Sequence, residues 1–547
     1  MPSLIKLRLI TIKISAITIF MGAVYLSLFY ILLHAWFLHK HKTMKMRTLG
    51  VNLSKVVVHI DLKGSPPKLA YLESVLPLFK DLGVNALLME YEDMFPYKGN
   101  IASLSSNICY KEHELRQFIT AAGRAGFEII PLIQTFGHLE HALKLSEFNH
   151  LREVLLYPDS ICPSKIESMT LIKDMLKQIV LFHNSIYPLK HLHIGFDEVF
   201  HMNKCAQCRL RNETDLDIYF NHLQKVKYIV KLWSPNTTVL IWDDMLRGIK
   251  LNDFEHRDLT NTEPVYWDYA PFLRVSHNNL YKYHKNFENI WIASAFKGAE
   301  GRTATLPSLR NRFINHVEWL KFIFHYKFGG ENKIYNFKGI ILTGWSRYSH
   351  MDPLCEILPV SIPSLVLNLL LIKFFQEGQI ENAYLLESSE IFNRFLKNNV
   401  NKHLQCEDDI SLENFETSSC TFNGHQIYSI LEQYIFQNDE ILDKFNDVKE
   451  GLFSLEYYYK LNHLNMNTIL PAIKWCNESL LDLIATENKI FNLMLQYYDV
   501  LVVQEYVNYK FYDGKKKLIG LLKLLKHYYI NHTWYRNPPH RYKFHSG

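Results

Sequence analysis

Cysteine is scarce and scattered. The eight in this 547-residue chain, Cys109, Cys162, Cys205, Cys208, Cys355, Cys406, Cys420 and Cys476, are too widely spaced for a disulfide framework. Basic character is slight as well. A formal charge of +5, with no run of Lys and Arg interleaved with aromatics, argues against a nucleic-acid groove. No glycine-rich phosphate loop follows the first apolar strand candidate, so the signature of a dinucleotide-binding open sheet is missing. No internal repeat is present, which excludes a repeat array. Metal-ligand spacing is sparse. Cys205 and Cys208 form one Cys-x-x-Cys, and zinc would need two more ligands, such as His201 and a distant cysteine. A local disulfide or two ordinary thiols is the simpler expectation, so neither metal nor cofactor is expected.

What is present begins at the N-terminus. Residues 14–33 carry no formal charge and are long enough to cross a bilayer as a helix. Lys6, Arg8 and Lys13 precede them, and His39, Lys40, His41, Lys42, Lys45 and Arg47 follow. No small-x-small cleavage site ends the run, which predicts an uncleaved single-pass anchor. Both flanks are similarly basic, so the side on which the rest of the chain lies stays open between lumen and cytoplasm. Acceptor sequons stand at Asn52, Asn212, Asn236, Asn477 and Asn531.

Beyond a basic stalk, short apolar strands alternate with helical stretches. Strand candidates cover residues 55–62, 86–91, 128–134, 191–197, 238–243, 263–268, 289–295 and 339–345, with helices between most of them, as at 67–82, 113–125, 169–186 and 219–233. Eight such units predict an α/β fold, a (β/α)8 TIM barrel. After residue 362 the alternation stops. Stretches 365–376, 426–446, 457–464, 469–492 and 515–530 read as an all-α C-terminal region. The expected organisation is a basic flank (1–13), an anchor (14–33), a stalk (34–53), a barrel (54–362), a helical region (363–533) and a tail (534–547).

Barrel chemistry sits at the carboxyl ends of the strands. Those ends carry Asp61, Glu90, His138, Asp197-Glu198, Trp242-Asp243-Asp244, Tyr266-Trp267-Asp268-Tyr269 and Trp345-Ser346-Arg347-Tyr348. Acids, a histidine and tryptophans gathered at one rim suit a carbohydrate pocket. The segment His191–Glu198 is the most telling. Two adjacent acids end an apolar strand, where desolvation and mutual repulsion make them costly. Strand periodicity would place His193, Gly195 and Asp197 on one face, with Glu198 just beyond. The alternative is an acid pair capping the next helix.

His193-Ile194-Gly195-Phe196-Asp197-Glu198-Val199 resembles the His-x-Gly-Gly-Asp-Glu signature of family 20 glycoside hydrolases, the β-N-acetylhexosaminidases, and is most similar to their hexosaminidase D branch. The resemblance runs on through Ile133-Gln134-Thr135-Phe136-Gly137-His138, Ile241-Trp242-Asp243-Asp244 and Thr343-Gly344-Trp345-Ser346-Arg347-Tyr348. It implies an exo-acting, retaining enzyme that removes terminal GalNAc or GlcNAc from glycans with help from the substrate's own acetamido group. Glu198 would be the general acid, favoured in its protonated form by Asp197 and by an apolar wall of Phe196 and Trp242. Asp197 would orient the acetamido nitrogen. Trp242, Trp267 and Trp345 would wall the sugar, and His138 would support the acids. Asp61, Glu90, Asp243 and Tyr266 would be further substrate contacts. A non-catalytic glycan-binding protein that keeps this pocket is the alternative.

The departures from the pattern are specific. Phe196 stands where a second glycine is common. The arginine expected near the first strand is replaced by Asp61-Leu62-Lys63, leaving Arg347 as a substitute. An N-terminal α/β domain is missing before the barrel. The tyrosine that would bind the acetamido oxygen stays open among Tyr266, Tyr269 and Tyr348.

Overall fold

Runs of Val, Ile and Leu that are buried on both faces form parallel sheets covered by helices, and eight such runs close on themselves here. The structure is a computed structural model that describes residues 53–328, 335–377, 396–407, 420–453 and 466–531. The barrel strands are β1 (Lys55–Asp61), β2 (Ala86–Glu90), β3 (Glu128–Leu132), β6 (His191–His193), β7 (Thr238–Trp242), β8 (Thr262–Trp267), β9 (Ile290–Lys297) and β10 (Phe337–Gly344). All neighbours are parallel, and β1 joins β10 to close the ring. A small antiparallel hairpin, β4 (Arg152–Val154) with β5 (Tyr157–Ile161), interrupts the series. The anchor at 14–33, the tail at 534–547 and the helix at 457–464 lie outside the described residues, as does all of the stalk except Leu53.

The barrel interior is filled by Val57, Leu88, Ile130, Leu132, Leu240, Trp242, Trp291 and Ile341, with Trp267 and Trp345 above them. Its amino end is closed by polar groups. Lys55 and His191 clasp Glu128 at 2.5 and 2.6 Å, and Trp291 Nε1 donates to Glu263 at 2.5 Å. Burial alone would raise Glu128, but His191 and Lys55 bring it down to about 2. The carboxyl end stays open to the cleft described below.

Helices cover the outside: α1 (Leu69–Asp81), α2 (Glu112–Arg124), α3 (Ile166–Asn184), α4 (Asp215–Trp233), α5 (His277–Asn286), α6 (Leu309–Phe328) and α7 (Ile362–Gln376). The last packs on α6 and β9, within the ring of the barrel. The C-terminal helices α8 (His425–Phe453), α9 (Met466–Met494) and α10 (Val500–Asn531) pack on one another. They reach the barrel through Lys510 Nζ, which donates to the carbonyls of Thr303 and Ala304, and through Glu505, which holds Arg347 at 2.6 Å. Among the described residues only the segment Pro359–Gln376 is long and apolar enough to cross a membrane, and most of it is buried in the fold.

Candidate active site

The strand expected over 191–197 ends as a ladder at His193. Beyond it Ile194 N–H still donates to Leu240 and Gly195 O accepts from Trp242, but Gly195 and Phe196 both take left-handed backbone, with φ of +76° and +75°. The alternation of faces therefore stops, and the chain turns outward at the two acids. A side chain on Gly195 would meet Gln134 Oε1 at 1.9 Å, and one on Gly137 would meet the Asp197 carbonyl at 2.3 Å. Both glycines let the ends of β3 and β6 close on each other.

Phe196 is not a wall beside the acid. Its ring turns away, into the layer between barrel and helix, against Phe136, Tyr219 and His222. Its φ explains why glycine is the expected occupant: the left-handed region costs an ordinary residue about 1–2 kcal/mol. Burying an aromatic ring offsets that, since removing one costs about 3–5 kcal/mol. Phe196→Ala keeps the strain and loses the ring, whereas Phe196→Gly relieves the strain. In urea unfolding the glycine variant is expected to be less stable than wild type yet more stable than the alanine variant. The reverse order of the two variants would show that backbone strain at residue 196 is unimportant.

Asp197 and Glu198 meet over one imidazole. His138 Nε2 stands 3.2 Å from Glu198 Oε2 and 3.4 Å from Asp197 Oδ2, while its Nδ1 lies 3.8 Å from Glu140. Burial would lower the His138 pKa, but Asp197, Glu140 and Glu198 hold it well above the usual histidine value, which favours the protonated ring. The two acids sit in unlike surroundings. The Glu198 side chain is 41% exposed and that of Asp197 only 11%. Burial, with added repulsion from Glu90 and Glu198, pushes Asp197 up to about 6, His138 opposing. Asp197 Oδ1 is buried and has no hydrogen-bond partner among the described residues. Asp244 fixes the acid loop from behind: its Oδ2 accepts the Glu198 N–H at 2.8 Å and its Oδ1 the Trp267 indole N–H at 3.3 Å.

A cleft of about 450 Å³ opens above the barrel, within the range of small-ligand sites. His138, Asp197, Glu198, Trp242, Trp267, Trp345 and Arg347 all line it, as expected from their strand ends. Trp242 and Trp345 have ring centroids 5.7 Å apart. The Trp242 indole nitrogen is buried without a partner among the described residues.

Four expected contacts lie off the cleft. Asp243 is fully buried in a pair with Arg247 (2.8 and 2.9 Å) and accepts from Tyr283 at 2.9 Å. Tyr266 bonds to Ser276 behind the barrel wall and packs on Tyr283 and Trp319. Asp61 accepts the backbone N–H groups of Lys63 and Ser346, tying β1 to β10. Glu90 meets His59 at 3.0 Å and Lys63 at 3.7 Å. Burial would raise its pKa, but Lys63 and His59 hold it well below the carboxylate range. All four are held by neighbours inside the protein, and none of them lines the cleft.

Three other cleft residues, Lys63, Gln134 and Arg312, were not singled out as site contacts from the sequence. Lys63 and Gln134 stand just past strand ends, where position alone was a signal. Tyr269 stacks on Trp267 at 5.1 Å and is the tyrosine of the three that lies deep in the cleft, Tyr348 being at the rim. Arg312 comes from α6 and carries no motif. It pairs with Glu300 at 2.7 Å, and its Nη1 is buried without a partner among the described residues. Arg347, the sequence's substitute cation, instead spends its Nη2 on Glu505.

No family model matches the chain. It is 40% identical over 347 residues to hexosaminidase D from Homo sapiens, spanning 61% of this chain and 70% of that protein. With hexosaminidase D from Bos taurus the identity is 39% over 317 residues, 56% of this chain and 89% of that one. Among solved structures, a β-N-acetylhexosaminidase from Bacteroides fragilis NCTC 9343 matches with a TM-score of 0.43 at 14% identity, over 63% of this chain and 71% of that chain. The chain thus has relatives of one kind and is a glycoside hydrolase, a β-N-acetylhexosaminidase. Within that class it belongs to the hexosaminidase D branch of family 20.

Proposed function

We propose that the enzyme removes terminal β-linked GlcNAc or GalNAc with retention, the nucleophile being the substrate's own acetamido oxygen. The observation that carries this reading is the partnerless Oδ1 of Asp197, a buried acceptor on the cleft with no donor among the described residues. An acetamido N–H would satisfy it. The remaining cleft carboxylates are occupied: Asp268 accepts the N–H groups of Ala270 and Arg274, and Glu300 holds Asn311 and Arg312. A conventional retaining pair needs a free carboxylate opposite the acid, and the cleft supplies only the two neighbours that share His138.

Glu198, the more open acid, protonates the leaving oxygen. Asp197 holds the acetamido N–H and stabilises the positive charge that develops as an oxazolinium ion forms. Water then opens that ring with Glu198 acting as base. Tyr269 is placed to donate to the acetamido oxygen, the three tryptophans wall the sugar, and Arg312 Nη1 is a donor for its hydroxyls. The test compares aryl β-N-acetylglucosaminide with aryl β-glucoside. Turnover of the first and at most a trace of the second is expected, and equal rates would overturn acetamido participation.

We also propose that residues 14–33 anchor the chain with the barrel on the lumenal side. The Cys406–Cys420 disulfide supports an oxidising compartment. Asn212, Asn236, Asn477 and Asn531 are all exposed, as glycan acceptors must be. A deglycosidase is expected to shift the band of protein from membranes. No shift would place the barrel in the cytoplasm.

A further inference from the structure

The hairpin β4–β5 brings a third cysteine to the Cys-x-x-Cys. Cys162 Sγ lies 3.3 Å from Cys205 Sγ and 3.6 Å from Cys208 Sγ, and Glu153 Oε2 lies 3.3 Å from Cys208 Sγ. All four ligand atoms fall within 4.8 Å of one another. With Zn–S bonds of about 2.3 Å and Zn–O of about 2.0–2.2 Å, the corners of a zinc tetrahedron stand about 3.5–3.8 Å apart. The three contacts above, at 3.3, 3.6 and 3.3 Å, are close to those spacings.

Its surroundings are those of a metal site. Cys205 Sγ accepts the Cys208 N–H at 3.3 Å, and Ser164 Oγ lies 3.1 Å from Cys208 Sγ. Glu153 Oε1 accepts the N–H groups of Lys204 and Cys205 at 2.6 and 2.7 Å, which aims Oε2 at the sulfurs. Such outer contacts orient ligands and stabilise their charge. Glu153 is 3% exposed, and among the described residues it pairs with no Lys, Arg or His. A buried carboxylate without a counter-ion is costly, and a divalent cation would supply one. The other gathering of this kind among the described residues, Glu92, His141 and His350, already has the Lys63 ammonium 3.3 Å from Glu92.

We propose that Glu153, Cys162, Cys205 and Cys208 bind a structural zinc ion, closed to substrate by its four protein ligands. Soft thiolates select zinc over magnesium or calcium. The ion would hold together the two segments that carry the catalytic groups. Cys205 lies on the loop that leaves Glu198, and His201 of that loop meets Asp159 of β5 at 2.9 Å. On its other side the hairpin accepts the Leu139 N–H and donates to Phe136, bracketing His138. The metal would thus position the acid loop relative to His138 while taking no part in the reaction.

The test is metal content. The full chain, produced with zinc, purified under reducing conditions and dialysed, is expected to keep one zinc per chain by plasma mass spectrometry. Cys162→Ser and Cys208→Ser should each lose most of it, while Cys109→Ser and Cys476→Ser keep it. Because serine variants could fail to fold, cobalt replacement in the wild-type chain is the second measurement, with a thiolate-to-cobalt charge-transfer band and intense tetrahedral visible bands expected. Wild-type protein that retains no zinc and shows no such bands would overturn the proposal. So would undiminished zinc in both serine variants, or a disulfide among these three cysteines in the unreduced peptide map.

Discussion

Glu198→Gln is expected to lower kcat/KM for sugar or alkyl β-N-acetylhexosaminides by about 10³-fold, the range in which a positioned general acid acts. Dinitrophenyl glycosides should lose far less, because that leaving group departs without a proton. The amide keeps the shape of the acid and leaves in place the Asp244 contact, which is to the backbone N–H of residue 198. Stability and ligand affinity should therefore stay near wild type. Steady-state kinetics across leaving groups of different basicity reads the effect as a steeper dependence in the variant. Unchanged rates on every substrate would remove Glu198 from the acid role.

Asp197→Asn should cost about 10²–10³-fold in kcat, the usual loss when one preorganised electrostatic partner of a transition state is removed. In the proposed mechanism the charge on Asp197 would matter twice, because its otherwise partnerless Oδ1 would receive the acetamido N–H while its Oδ2 faces the His138 ring. Azide should rescue Glu198→Ala, where an external nucleophile can complete turnover without a base. It should not rescue Asp197→Asn, where formation of the intermediate is impaired. Equal rescue of both would erase the division of labour. A pH signature follows from burial. Asp197 is pushed up to about 6, so it takes up a proton as the pH falls through that value and can no longer stabilise positive charge. The kcat/KM profile should carry an acid limb near pH 6, and that limb should vanish in Asp197→Asn.

The barrel was legible because parallel strands buried on both faces leave apolar runs, and each of the eight runs overlaps a barrel strand, although the one read over 191–197 stops at His193. The rim was legible for a related reason, since a strand end fixes a side chain's place without any contact being known. Where reading failed, the cause was local backbone or distant packing. Phe196 looks like a strand residue, and nothing in its type announces a left-handed φ. Residues 152–161 are too short and too polar to read as a hairpin. Cys162 meets Cys205 across 43 residues, and Arg347 meets Glu505 across 158, separations at which spacing carries no signal. Asp61, Glu90, Asp243 and Tyr266 sit near strand ends as the site does, but each is turned off the cleft toward neighbours that a strand-by-strand reading cannot see.

The contact between Arg347 and Glu505 also fixes how the chain can be threaded. A hydropathy scan would offer Pro359–Gln376 to the bilayer as a second crossing. Such a crossing would leave the guanidinium on one side of the membrane and the carboxylate on the other. The two are 2.6 Å apart. Barrel and C-terminal helices therefore share one compartment, and a reporter fused after Asn531 would face the same side as the catalytic cleft.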